Sequence, residues 1–135
     1  MEKNFLGIDY GKKRIGLALA GEKARVAKAF KVIHQLKELD DIVPAKNVKT
    51  FVVGLPLQPD GEEGDMAASA RLFARRLEEK YDLPVCWQDE RKTSCEAEAY
   101  LKDALFMRPE KRKAILDAES ARVILDRWLK NNPGL

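Results

Sequence analysis

The sequence predicts an α/β fold: one mixed five-stranded sheet of order 3-2-1-4-5, with strand 2 antiparallel and helices flanking it. Three observations lead there. Residues 4–9, 15–19 and 26–32 carry strand-type apolar patterns joined by short turns, which makes an antiparallel meander. Two later apolar strand signals, at residues 50–53 and 85–87, each follow a stretch of helical character, as crossovers between parallel strands require. The length of 135 residues suits one domain, residues 1–135.

Each element has its own signal. Phe5, Leu6 and Ile8 give strand 1 two apolar faces, as expected of a central strand, and Tyr10-Gly11-Lys12-Lys13 supplies turn chemistry. Ile15, Leu17 and Leu19 alternate with small residues in strand 2, and Val26, Phe30 and Val32 continue into strand 3. Leu36, Leu39, Ile42 and Val43 predict a short helix, with Asp40 or Asp41 near its N-cap and Pro44 in its first turn. After strand 4 and the loop at residues 59–64, Asp65 is the expected N-cap of a helix whose inward stripe is Met66, Ala70, Phe73 and Leu77. Strand 5 carries Val85 and Trp87 and ends in Asp89-Glu90-Arg91. Thr93 and Glu96 then fit a capping box that opens a helix with Ala97, Tyr100, Leu101 and Ala104 inward. Residues 108–113 read as a basic loop before a last helix over 114–130, which Pro133-Gly134 end.

Composition narrows the function classes. The chain is 45% hydrophobic and 35% charged, with a net charge of +3, a mild lean toward a polyanionic partner. The N-terminus has no signal-peptide h-region and no apolar run reaches membrane-spanning length, so a cytoplasmic protein with no membrane partner is expected. Cys86, Cys95 and His34 form no CxxC or Cys/His cluster, which argues against zinc, and both thiols are expected to be reduced. Neither GxxxxGK[ST] nor a GxGxxG after a strand occurs, which disfavours P-loop and dinucleotide functions.

Three acids call for explanation. Asp9 ends an apolar central strand, where a carboxylate is costly unless it is paired, hydrogen-bonded or metal-bound; an Asx-type cap of the following turn is the plainer alternative. Asp89 and Glu90 end strand 5, on the sheet edge where parallel strands gather functional groups, although a solvated loop before a helix would also carry acids. Asp117 lies on the stripe of Ala121, Ile124, Leu125 and Trp128, either as a cap or pointing across the sheet edge at Asp9, whereas Asp126 falls off that stripe onto the surface. Converging carboxylates suit a hard divalent ion, Mg²⁺ or Mn²⁺, and phosphodiester hydrolysis. Basic residues accompany each acid: Lys12, Lys13 and Arg14 after Asp9, Arg91 and Lys92 after Glu90, and Arg112 and Lys113 before Asp117. They are the candidate nucleic-acid contacts.

Residues 7–18 (GIDYGKKRIGLA), the run 52–57 (VVGLPL) with Asp60-Gly61, residues 89–94 (DERKTS), and Lys113 to Asp117 with the final helix together resemble the YqgF/RuvX family of pre-16S rRNA nucleases, in family order and over nearly the whole chain. The resemblance implies an RNase H-like fold related to Holliday-junction resolvases, and nuclease action in maturing the 5′ end of 16S rRNA. It implies that Asp9, Glu90 and Asp117 are the catalytic, metal-binding acids and that Gly11 and Arg14 matter. The partner would be precursor 16S rRNA or a pre-ribosomal particle, with branched DNA as the alternative and a monomer or weak homodimer as the working form. Two small departures are Ser94, where the family pattern has a second threonine, and Ser120-Ala121, where it has an alanine pair. A larger one is that related resolvases carry an acid at the end of strand 4, where this chain has Gly54-Leu55-Pro56, so an acid of strand 5 must substitute. Besides the ribonuclease and the resolvase, two other readings stand. Asp-Tyr-Gly before a hairpin is also similar to the phosphate loop of sugar kinases and actin-like ATPases, which clasp nucleotide between two such domains. A non-catalytic rRNA-binding assembly factor is the other.

Overall fold

The computed structural model describes residues 2–90 and 108–134. The helix expected from Thr93 and Glu96, and the cationic pair Arg91 and Lys92, lie outside the described residues. The elements are β1 (Asn4–Tyr10), β2 (Ile15–Gly21), β3 (Lys28–Ile33), α1 (Leu39–Ala45), β4 (Val48–Leu55), α2 (Asp65–Tyr81), β5 (Val85–Asp89) and α3 (Pro109–Asn131). The sheet runs β3-β2-β1-β4-β5, with β2 antiparallel to β1 and β3, and β4 parallel to β1 and β5. This is the expected order.

The period-2 alternation of the strands divides the core between the two faces of the sheet. Leu6, Ile8, Leu17, Phe51 and Val53 face Leu39, Phe73 and Leu77 of the α1 and α2 side. Phe5, Ala18, Ala20 and Val52 face Ala121, Ile124, Leu125 and Trp128 of α3, and the Phe5 and Trp128 rings meet edge-on at 5.1 Å. Burying each large apolar side chain contributes about 1.5–3 kcal/mol, so both faces are needed to fix the central strand. Among the described residues no helix is long and apolar enough to cross a membrane.

Several boundaries differ from expectation, each for a local reason. α1 begins at Leu39, behind a single 3₁₀ turn at Leu36–Glu38, rather than at Asp40 or Asp41. The Glu38 carboxylate accepts the His34 and Gln35 N–H groups at 2.6 and 2.7 Å, and so starts the helical turn early. Pro44 therefore stands in the last turn of α1 and not the first. Gly64, not Asp65, is the N-cap of α2: the Gly64 carbonyl accepts the first helical N–H, from Ala68. In that phase Ala67 turns inward and Met66 is left 44% exposed, off the predicted stripe. Val26, 59% exposed, precedes β3 rather than belonging to it.

The largest difference is in α3. The basic run 108–113 is not a loop. Proline is favoured at the first helical position, because its missing N–H has no partner there anyway. The helix accordingly starts at Pro109, and the Arg112 N–H bonds the Arg108 carbonyl at 2.9 Å.

Candidate functional site

The same alternation that builds the core selects the site. On the α3 side, β1 continues from Phe5 to Asp9, β2 offers Gly16 and Ala18, and β4 runs from Val52 to Gly54. Asp9 is the register partner of Gly16, and Ile8 of Val53, so the carboxylate of Asp9 emerges in the row of two glycines. Glu90 follows β5, its N–H held by the Leu55 carbonyl at 3.2 Å. It shares the parity of Cys86 and Gln88, whereas Asp89 has the opposite parity. Asp9 and Glu90 therefore reach one edge of the sheet beneath α3, which itself carries Asp117.

The two glycines are steric requirements. A methyl group at Gly16 would run into the carbonyl oxygen of Asp117, so glycine there lets α3 lie directly on β2. A methyl group at Gly54 would stand 2.8 Å from Oε2 of Glu90 and 2.5 Å from Cδ1 of Ile124. The space left by the missing side chain on β4 is the space the Glu90 carboxylate fills. Strand 5 thus supplies an acid at the place where strand 4 has none. Gly11 also permits a close approach, since a side chain there would crowd the Arg14 carbonyl.

The charges at this edge are poised against one another. Asp9 and Glu90 are partly buried and hydrogen-bonded to each other. Burial, before any other cause, raises Glu90 to about 9; the neighbouring Asp9 charge, its hydrogen bond and then Asp89 push the same way. Burial also raises Asp9, to about 6; the hydrogen bond from Glu90 opposes that rise, and the Asp117 charge adds to it. At neutral pH one proton thus resides on Glu90, which donates it to ionised Asp9. Asp117 is the ninth residue of α3 and no cap: its Oδ2 accepts from Nε of Arg14 at 2.6 Å, with both side chains partly exposed.

The donor set fits a divalent cation through two of its three acids. Among the described residues no three acidic, histidine or cysteine side chains already form a cation cage, and Asp117 is paired with Arg14. Asp9 and Glu90 do present carboxylate oxygens to each other across one shared proton, and a proton held between two carboxylates marks a place where positive charge is favoured. Mg²⁺ typically takes only one or two protein carboxylates and keeps waters, so the pair fits a hard cation with oxygen ligands.

The other expected residues divide. Lys12 and Lys13 are exposed on the β1–β2 turn, and Lys113 is exposed in the first turns of α3 beside half-buried Arg112. Arg14 is engaged with Asp117. The sequence does not single out Gly16, and it marks Gly54 only as a place where related resolvases carry an acid, although glycine inside a strand is a signal of close approach. Asp126, off the stripe, pairs with Lys130 at 2.9 Å.

Comparison with known proteins agrees with this architecture. Residues 3–131 match the family described as "RuvX: Holliday junction resolvase". A relative from Burkholderia ambifaria (strain MC40-6), named "Putative pre-16S rRNA nuclease", is 41% identical over 134 residues, covering 95% of this chain and 89% of the relative. One of the same name from Burkholderia multivorans is 40% identical over 134 residues. Among solved structures, "T. thermophilus RuvC in complex with Holliday junction substrate" superposes with a TM-score of 0.53 at 18% identity, covering 97% of this chain and 96% of that one. A second Thermus thermophilus RuvC structure gives 0.53 at 16% identity, and these likenesses show the fold, which is RNase H-like. The match across nearly the whole chain, together with relatives at this identity, places the protein in the RuvX family.

Proposed function

We propose that the protein is a metal-dependent endonuclease that hydrolyses phosphodiester bonds in nucleic acid, processing the 5′ end of precursor 16S rRNA in the cytoplasm. The observation that carries the reading is the partly buried, hydrogen-bonded Asp9–Glu90 carboxyl pair at a sheet edge beside Asp117, with Glu90 in the space left at Gly54. Its relatives' names supply the substrate.

Asp9, Glu90 and Asp117 are the residues that would hold Mg²⁺ or Mn²⁺. Such an ion would supply charge stabilisation at the phosphate and activation of the attacking water. The chain's own residues do the rest. Glu90 would give up its proton to solvent in order to help hold a cation as a carboxylate. Asp9 stays ionised at neutral pH and fixes the position of the positive charge. Arg14 exchanges Asp117 for a substrate phosphate, to which its guanidinium can donate two bonds. Lys12, Lys13, Arg112 and Lys113, with Arg91 and Lys92 beyond the described residues, hold the nucleic-acid backbone.

The deciding experiment compares cleavage of precursor 16S rRNA with cleavage of a four-way DNA junction, in Mg²⁺ or Mn²⁺. Cutting of the rRNA alone upholds the proposal. Cutting of the junction alone would establish the second reading, a resolvase, which the family description and the junction-bound structural neighbour favour. A stable two-fold dimer would accompany that outcome, because a resolvase cuts two strands symmetrically.

Two further outcomes are expected. Gly54→Ala should push Glu90 away from Asp9 and crowd Ile124, costing about 1–3 kcal/mol of stability and weakening Mn²⁺ binding in calorimetry. Unchanged Mn²⁺ affinity would separate Glu90 from the metal. Charge reversal at Arg112 and Lys113 should weaken nucleic-acid binding and reduce its dependence on salt, by a slope of about 0.7 for each single-strand phosphate that is no longer neutralised. Equal affinity across a salt series would remove these turns of α3 from the binding surface.

A further inference from the structure

A groove of about 670 Å³ runs between β3 and the first turns of α3. Val32, Ala114, Ile115 and Ala118 give it an apolar floor. Its charged rim is Arg14, Lys31 and Lys113, with His34 alongside and Glu110 as the acid among its lining residues. We propose that this groove holds a single-stranded flank of the nucleic-acid substrate, next to the bond that is cut. The proposal rests on the nuclease reading and adds to it a path and a preference for unpaired strand.

Four features favour that occupant. Lys31 and Lys113 outnumber Glu110 in the lining, and Arg14 adds a third cation that is shared with Asp117, a balance that suits a phosphodiester chain. The groove lies along the N-terminal turns of a 23-residue helix, whose dipole adds positive potential there. Arg14 belongs to both places: it lines the groove and bonds Asp117, so a strand leaving the groove arrives at the acids. The apolar floor suits the faces of bases, which a duplex keeps stacked inside but a single strand can offer. A protein strand is the less fitting partner. β3 is an edge strand, and Lys28 and Lys31 on it oppose edge-to-edge pairing.

Fluorescence anisotropy with a short labelled oligouridine, in EDTA so that nothing is cut, tests this directly. Lys31→Glu and Ala114→Glu should each weaken binding by about tenfold at low salt. Ala114→Lys, which changes the same floor position with the opposite charge, should bind at least as tightly as wild type and so controls for folding. A duplex of matched length should respond less to all three. Wild-type single-strand affinity in both glutamate variants would overturn the proposal. So would a wild-type dimer that Ala114→Glu dissociates while oligouridine binding is unchanged, since the occupant would then be a second copy. Cleavage of precursor rRNA by the same proteins separates the two readings. Binding lost in the variants, with no cutting even by wild type, sinks the nuclease and keeps the groove. Wild-type binding and cutting in the variants sinks the groove and keeps the nuclease.

Discussion

Asp9→Asn is expected to lower metal-dependent cleavage by about 10³-fold or more while leaving nucleic-acid affinity nearly unchanged. The magnitude follows from the several kcal/mol of charge stabilisation that a catalytic metal supplies, at about 1.4 kcal/mol per decade of rate. The substitution preserves shape and removes one charge. The cations on the β1–β2 turn and on α3 are untouched, so binding should persist. Single-turnover cleavage alongside a binding titration reads both quantities. Cleavage at the wild-type rate would show that the Asp9–Glu90 edge is not the reaction centre, and loss of binding with loss of cleavage would make Asp9 a structural residue.

Glu90→Gln should produce the opposite sign in a different measurement: the metal-free protein becomes more stable. The folded-state carboxyls of Asp9 and Glu90 titrate above their ordinary range because burial disfavours their charges. The folded protein therefore holds a proton that the unfolded chain has already released. Stability from this source is fully present below the ordinary carboxyl range and is lost as pH rises, through about 6 for Asp9 and about 9 for Glu90. Glutamine keeps a neutral donor to Asp9 at every pH and removes most of that slope. In EDTA at pH 8 the variant should melt roughly 5 °C above wild type, about 1–2 kcal/mol, and the gap should close toward pH 5. Excess Mg²⁺ or Mn²⁺ should stabilise wild type but not the variant, narrowing or reversing the gap. A wild-type melting temperature in EDTA that does not fall between pH 5 and 8 would contradict the buried, protonated pair.

Much of this was visible in the residues. Apolar runs on both faces of strands 1 and 4, turn chemistry after Asp9 and helical spacing in 65–81 determine the sheet order, because each strand's burial dictates its place. The stripe of Ala121, Ile124, Leu125 and Trp128 was legible for the same reason. The boundaries were less so. A run of basic residues resembles a loop until Pro109 is seen as a first helical residue. A capping carboxylate such as Glu38 acts through backbone N–H groups that the sequence does not display. Which of Asp89 and Glu90 lies on the Asp9 face depends on the register of β5 against β4, since one step of parity exchanges the two faces of a sheet. The Arg14–Asp117 pair joins positions 103 residues apart, and no local pattern encodes it.

The position of α3 also imposes an order of events. It supplies one carboxylate of the candidate site and one cover of the sheet, and it is encoded after every strand. During synthesis from the N-terminus the β-sheet can form with Asp9 already at its edge, yet that face lacks its α3 cover until residues 109–131 have left the ribosome. A nascent chain whose α3 is still inside the machine whose RNA it is proposed to trim would lack Asp117 and one half of its core. The candidate site would be complete only once that helix has emerged and settled onto Gly16, bringing its carboxylate with it.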